Sequence, residues 1–309
     1  MNYNKYKLLD WISIDKLYFE SLSLNSNDEA MKLLEQNPEK INWYWLSSNP
    51  NDKALQLLQQ NQDKIDWDEL STNTNNNALQ MLEQNQDKID WDFLSSNSND
   101  KALQLLQQNP EKINWDDLSS NPNNNALQML EQNQDKINWN YLSLNKNDKA
   151  LQLLQQNQDK IDWDELSSNP NNIALQMLEQ NPDKIDWGEL SKNINDNALK
   201  LLEQNQDKIN WYCLSSNLND IALKLLEQNQ DKINWYCLCC NLNDNVGQLI
   251  HQNTDKVDLN WFYSNPSIFE RDYIGMSKER TKIIYQELIE KALHPSRVLK
   301  WMEEGFEDF

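Results

Sequence analysis

Apolar side chains return along this chain with a period of 24 residues. Within residues 51–74 they fall at Ala54, Leu55, Leu57, Leu58, Ile65, Trp67 and Leu70, and nearly every later unit repeats the set. Trp stands at 43, 67, 91, 115, 139, 163, 187, 211 and 235, each 24 residues after the last. Phe19 extends the series backward and Leu259 forward. About eleven registers result, the outermost two degraded in the manner of capping repeats.

Ala54, Leu55, Leu57 and Leu58 have the i, i+1, i+3, i+4 spacing of one helix face, which predicts a long helix from about Asp52 to Gln60. Asn51 is its expected N-cap, and Asp52 adds negative charge to the first turn. Asn61 follows the last turn, where Asn is expected to take the left-handed conformation that Gly usually supplies, in a chain with only 4 Gly. Asp66 opens a second, short helix of one or two turns, α or 3₁₀. Glu69 stands three residues on as in a capping box, and Trp67 and Leu70 share a face expected to be buried.

Seven apolar residues in a 24-residue unit make no core alone, so each unit has to bury its face on its neighbours. The predicted fold is therefore all-α, an α-solenoid, with layers about 8–10 Å apart. Residues 1–24 read as an N-terminal cap, 25–267 as the tandem-repeat solenoid and 268–309 as a C-terminal helical cap. In that last segment Ser277 is expected to cap a helix through about Leu293, turning Ile283, Ile284, Leu288 and Ile289 inward. Pro295 suits the first turn of another helix that stops near Gly305.

The pattern Leu-Ser-Ser-Asn-Pro-Asn followed by an Ala-Leu-x-Leu-Leu-type helix, at 46–58, 118–130 and 166–178, resembles the leucine-rich repeat variant family. That resemblance implies 24-residue units of one α-helix and one 3₁₀-helix in a right-handed superhelix. The Asp-Lys-Ile-Asp-Trp units at 63–67 and 159–163, with the His-Pro-Ser-Arg segment at 294–297, resemble tandem-repeat proteins of mimivirus-type giant amoebal viruses. This second resemblance implies a viral source and a host-cell cytoplasmic setting, and little about mechanism. A 48-residue repeat lies over the first: Asn-Asp-Lys-Ala-Leu-Gln-Leu-Leu-Gln-Gln-Asn begins at 51, 99 and 147, and an Asn-Asn-x-Ala-Leu-Gln-Met-Leu-Glu-Gln-Asn version at 75, 123 and 171. Repeats this alike argue against a catalytic constellation inside the array.

Charge narrows the partners. With 28 Lys+Arg against 49 Asp+Glu the net charge is −21, which disfavours wrapping nucleic acid, because phosphate neutralisation by cations supplies most of that affinity. No apolar run reaches the roughly 18 residues of a membrane span. Four Cys, three of them crowded at Cys237, Cys239 and Cys240, make no disulfide framework and point to a reducing, cytoplasmic compartment.

Candidate chemistry is sparse. Lys recurs at 40, 64, 88, 112, 136, 160, 184, 208, 232 and 256, each behind an acid, so local ion pairing is expected over a phosphate track. The Asn rows at 49, 73, 97, 121, 145, 169, 193, 217 and 241, and at 51, 75, 99, 123, 147, 171, 195, 219 and 243, predict a ladder of side-chain amides that satisfies backbone groups. Cys213 with Cys237, Cys239 and Cys240 could hold a metal, but Cys-x-Cys-Cys lacks the usual Cys-x2-Cys spacing, and repeat drift explains it better. His251 and His294 lie near no nucleophile motif. No catalytic, cofactor or metal site is assigned.

The expected function is a non-enzymatic protein-binding scaffold with a basic partner. A self-associating structural component and an acidic nucleic-acid mimic are the rival readings. Partner contacts are expected on the short helix and the turn after it, where units differ. The position two after each Trp holds Trp45, Glu69, Phe93, Asp117, Tyr141, Glu165, Glu189, Cys213 and Cys237, and the position before it varies from Tyr44 to Gly188, Tyr212 and Tyr236. The second candidate surface is the C-terminal segment around Arg297 and Trp301.

Overall fold

The structure, a computed structural model, describes residues 14, 17–257, 265, 273–287, 290, 294 and 297–300, and the regular elements among them are all helices. The chain divides into two compact units, Met1–Gln228 and Asn229–Phe309. The first is an α-solenoid. Its 24-residue unit has three parts, seen in the long helix Asp52–Gln60, the 3₁₀ turn Gln62–Lys64 and the short helix Trp67–Thr72. Short helices stack on short helices of adjacent units, and long on long.

The long helix forms where the apolar pattern places it. The Asn51 carboxamide oxygen accepts from the Lys53 backbone N–H at 2.7 Å, filling one of the orphan donors of the first turn. Ala54, Leu55 and Leu58 are buried, and so are Leu105 and Leu153, which correspond to the half-buried Leu57. Each fully buried Leu contributes roughly 1.5–3 kcal/mol.

The end of the helix differs from expectation. Asn61 lies at φ −131°, ψ 56°, outside the left-handed region. Its backbone N–H donates to the Leu58 carbonyl at 3.0 Å, and its side-chain amide reaches back to the Leu57 carbonyl at 2.8 Å. The Asn side chain thus satisfies an orphan carbonyl directly, and the backbone leaves the helix there to enter the 3₁₀ turn. The scarcity of Gly therefore follows from amide capping, with no need for a positive φ. Pro replaces the turn's first residue at Pro38, Pro110 and Pro182, a site where a fixed φ and a missing donor cost little.

The short segment is α-helical, and the 3₁₀ geometry belongs to the turn ahead of it. Asp66 caps it by accepting from the Glu69 N–H at 3.0 Å, half of the expected capping box. The other half comes from elsewhere: the Asp66 N–H donates at 3.1 Å to the hydroxyl of Ser47, one unit earlier. Ser47 in turn donates to the Trp43 carbonyl at 2.8 Å. The same two bonds recur at Ser71, Ser95, Ser119, Ser143, Ser167 and Ser191, all fully buried.

The amide ladder forms as the Asn rows predict. Asn73 donates to the carbonyls of Ser47 and Asn49 at 2.9 and 3.0 Å, and its oxygen accepts from the Asn75 N–H. Asn97, Asn121, Asn145, Asn169, Asn193 and Asn217 each bridge two carbonyls of the preceding unit in the same way. The second row ties adjacent turns: Asn75 donates to the Pro50 carbonyl and to Asp52 Oδ1 while capping its own helix. Among the described residues no buried side-chain N or O lacks a partner, as a closely packed interior requires.

One expectation about side chains is corrected, and another is met at part of its row. The Trp row is half-buried, because Leu70 and its equivalents take the fully buried position of the short helix and leave each indole at the edge of the stack. The Lys row divides between those rings and the preceding acids: Lys40 Nζ stands 4.6 Å from the Phe19 ring centroid and Lys88 Nζ 4.6 Å from that of Trp67, one layer back. The expected ion pairs with preceding acids form at Lys64–Asp63, Lys160–Asp159 and Lys136–Asp135, at 3.5, 3.7 and 3.8 Å, with both partners exposed. Phe19 is buried and opens the short helix Phe19–Ser23, so the backward extension of the series holds. Leu259 lies outside the described residues.

The second unit keeps the register through the helices Trp235–Cys239 and Val246–His251 and through Asn265, which bridges the Cys239 and Asn241 carbonyls. Its long helix runs Tyr273–Glu287, so Ser277 lies inside it and its carbonyl accepts from the Thr281 hydroxyl. Ile283 and Ile284, expected to face inward, are each 55% exposed. Arg280 and Glu287 stand three and four residues from Ile283 and Ile284 on the same helical stripe, so no apolar face forms. Leu288, Ile289, Leu293, Pro295, Trp301 and Gly305 lie outside the described residues, and residues 297–300 are helical.

Candidate functional site

The short helices carry the residues that differ from layer to layer. Their first position is the half-buried Trp and their fourth the buried Leu, which leaves the second and third positions turned outward. At the third position the side chain alternates through six consecutive layers: Trp45, Glu69, Phe93, Asp117, Tyr141 and Glu165. Trp45, Phe93 and Tyr141 are 37%, 44% and 44% exposed, more than interior aromatics are, and the acids between them are half-buried. The same position is 9% exposed in Cys213 and 8% in Cys237. The backbone site is therefore sheltered, and a large ring projects from it because it is too long to fit beneath its neighbours.

Tyr44 meets Trp45 edge-on, with centroids 4.8 Å apart and planes at 81°, a favoured aromatic geometry. Contact with the Glu69 carboxylate of the next layer pushes its phenol above the usual range. Tyr212 in the first unit and Tyr236 in the second are exposed at the second position. Arg297 is exposed as well. The structure thus brings Tyr44, Trp45, Phe93 and Tyr141 onto one surface of the first unit.

That surface is strongly acidic. N-caps and outward positions between layers 67 and 187 carry Asp66, Asp68, Glu69, Asp90, Asp92, Asp116, Asp117, Asp162, Asp164, Glu165, Asp186 and Glu189. Burial, and then Asp92, Asp116 and Asp90, push the Asp117 carboxyl above its ordinary range. Asp68 rises through burial and then Asp90, Asp66 and Glu69. Glu165 rises through burial and then Asp162, Glu189 and Asp164, against the opposing pull of Lys192. The crowding is partly relieved by amides, since Asn114 and Asn138 donate to Asp92 and Asp116 of the preceding layers at 2.9 Å. Lys192 donates to Glu189 at 2.6 Å.

The long-helix surface has a different character, with Lys53, Gln56, Gln59 and Gln60 repeated at Lys101, Gln104, Gln107 and Gln108. A groove of about 70 Å³ between two such helices is lined by Leu79, Glu83, Lys101, Gln104, Leu105 and Gln108. That is well below the roughly 300 Å³ of a small-molecule pocket. Cys213, Cys237 and Cys239 are buried and Cys240 is exposed, none of them in a disulfide. Among the described residues no group of three His, Cys, Asp or Glu is arranged to hold a metal, and no helix is long and apolar enough to cross a membrane.

The turn after the short helix, part of the expected partner surface, carries apolar residues that sequence reading did not single out. The turn position after the buried Asn holds Pro50, Thr74, Ser98 and Pro122 in early units but the exposed Ile194 and Leu218 later, with Leu242 in the same register of the second unit. The substitution of apolar for turn residues at this one register was the available signal. Protein-family models, curated proteins and solved structures yield no match to the chain, so its function has to be argued from this surface.

Proposed function

We propose that the protein is a non-enzymatic binding scaffold whose short-helix surface takes up a basic protein partner. The observation that carries this reading is the alternation of exposed aromatics with crowded carboxylates on a backbone fixed by buried amide and hydroxyl rungs. Aromatic side chains supply anchoring area at little entropic cost, and carboxylates steer cationic partners and reject anionic ones. Binding would relieve like-charge repulsion already present in the free protein. Four cysteines with no disulfide framework favour work in a reducing compartment such as the cytoplasm.

A random peptide-display library panned against the purified protein tests the reading. Basic sequences should be enriched, and enrichment should vanish against a variant combining Trp45→Ala, Phe93→Ala and Tyr141→Ala that retains its helical circular dichroism. Equal enrichment on both proteins would move the site off this surface.

A further inference from the structure

We infer that the partner is an extended, arginine-bearing segment in polyproline II conformation, laid along the short-helix surface of the first unit so that every third residue meets the next layer. The inference rests on the scaffold reading above and adds the conformation, the register and the cation.

The register comes from matching two repeats. Stacked helices stand about 8–10 Å apart. A polyproline II segment advances about 3.1 Å per residue with three residues per turn, so one side chain in three returns to the same face every 9 Å or so. An α-helix returns side chains to one face about every 5.4 Å, and a strand about every 6.6–6.8 Å. Neither keeps step with the layers. From Trp45 to Glu165 the six layers correspond to roughly 16 residues of such a segment.

The cation follows from the alternation. Successive layers offer a ring, a carboxylate, a ring and a carboxylate at Trp45, Glu69, Phe93, Asp117 and onward. One residue type serves both: guanidinium stacks on an aromatic face and forks onto a carboxylate, whereas ammonium is a point charge better suited to the second. The fold already demonstrates a layer-spaced cation-on-ring arrangement internally, with Lys40 over Phe19 and Lys88 over Trp67, both at 4.6 Å. Exposed Trp45, Phe93 and Tyr141 offer the same ring faces on the outer side of the short helices.

Two labelled 16-residue peptides of identical composition provide the test, one with Arg at every third position among Pro, Ser and Gln, the other with the same Arg residues in one block. Fluorescence anisotropy with the full chain should show the periodic peptide binding at least tenfold more tightly. Phe93→Ala with Tyr141→Ala should remove that preference and leave the weak, salt-sensitive binding of the block peptide in place. Equal affinities for the two peptides would overturn the inference. If they bind equally while the triple-aromatic variant still loses its library enrichment, the register is wrong and the scaffold reading stands. If neither peptide binds and the library shows no enrichment, both fall.

Discussion

The interior rungs and the short-helix surface of the first unit share the same 24-residue register and have opposite freedom. Ser47, Ser71 and Ser95 and Asn49, Asn73 and Asn97 hold one residue type because each side chain joins groups in its own unit to backbone groups of another, within about 3 Å. The third position of the short helix satisfies nothing in particular, and it ranges over Trp, Phe, Tyr, Asp, Glu and Cys. A repeat array thus records which contacts are obligatory. Identical environments select identical residues, and the positions left unconstrained are those where binding chemistry can be installed without disturbing the stack.

Breaking the interior should have the largest effects. Leu118→Ala removes a fully buried side chain at a central layer and should cost about 2–5 kcal/mol. Asn121→Ala strips the donors from the Ser95 and Asn97 carbonyls and the acceptor from the Asn123 N–H, and should cost about 2–4 kcal/mol. Because each layer contacts only its neighbours, hydrogen exchange should rise in the layers around residue 121 and leave distant ones protected. Uniform loss of protection would show that the array unfolds as one piece.

The Trp row sits between the two regions and sharpens the comparison. Trp67→Ala should cost about 1–2 kcal/mol, less than the 3–5 of a fully buried Trp, because the indole is half-exposed. Lys88→Ala should cost at most about 1 kcal/mol and nothing further in the Trp67→Ala background, since the ring is its partner. Additive losses in a double-mutant cycle would detach the Lys row from the Trp row.

Acidity probes the surface with a smaller effect. Asp117, Asp164 and Glu165 have carboxyls raised above the ordinary range, in each case first by burial and then by neighbouring acids. The folded state therefore binds protons more readily than the unfolded one. Their contribution to stability is fully present below the ordinary carboxylate range, near pH 4, and is lost as pH rises through the raised values. Thermal midpoints should fall slightly over that window, and Asp117→Asn should flatten the fall. Asp28 has the opposite sign, lowered by its hydrogen bonds from Asn51 and Lys53, so an Asp28→Asn variant should leave the fall intact or steepen it.

Much of this arrangement is legible in the sequence, and the gaps share a cause. The bounds of Asp52–Gln60, its Asn51 cap and the role of the Asn rows follow from periodicity and the chemistry of short amides. The Ser row goes unread because a serine before a turn looks ordinary until Ser47 is seen accepting from Asp66, 19 residues away. The Lys-on-ring contacts, the half-burial of Trp and the backward reach of Asn61 likewise depend on how layers meet or on local geometry, which spacing alone does not carry. At the surface, the aromatic and acidic positions are visible in the sequence. Their crowding into one strip, which raises the carboxyls, emerges only on stacking. Ile283 and Ile284 are exposed against expectation because they lie outside the repeat, where no register fixes which way a side chain points.

The central claim is that the rungs hold the scaffold while the short-helix surface is free to bind. Its most direct test measures unfolding and binding of the arginine-periodic peptide side by side on two variants. The Trp45→Ala, Phe93→Ala, Tyr141→Ala protein should stay within about 2 kcal/mol of the parent, less than about 1 per partly exposed ring, and lose binding. Asn121→Ala should be clearly less stable, yet bind the peptide at temperatures where it remains folded. A triple variant that binds unchanged, or that loses as much stability as Asn121→Ala, would contradict the account.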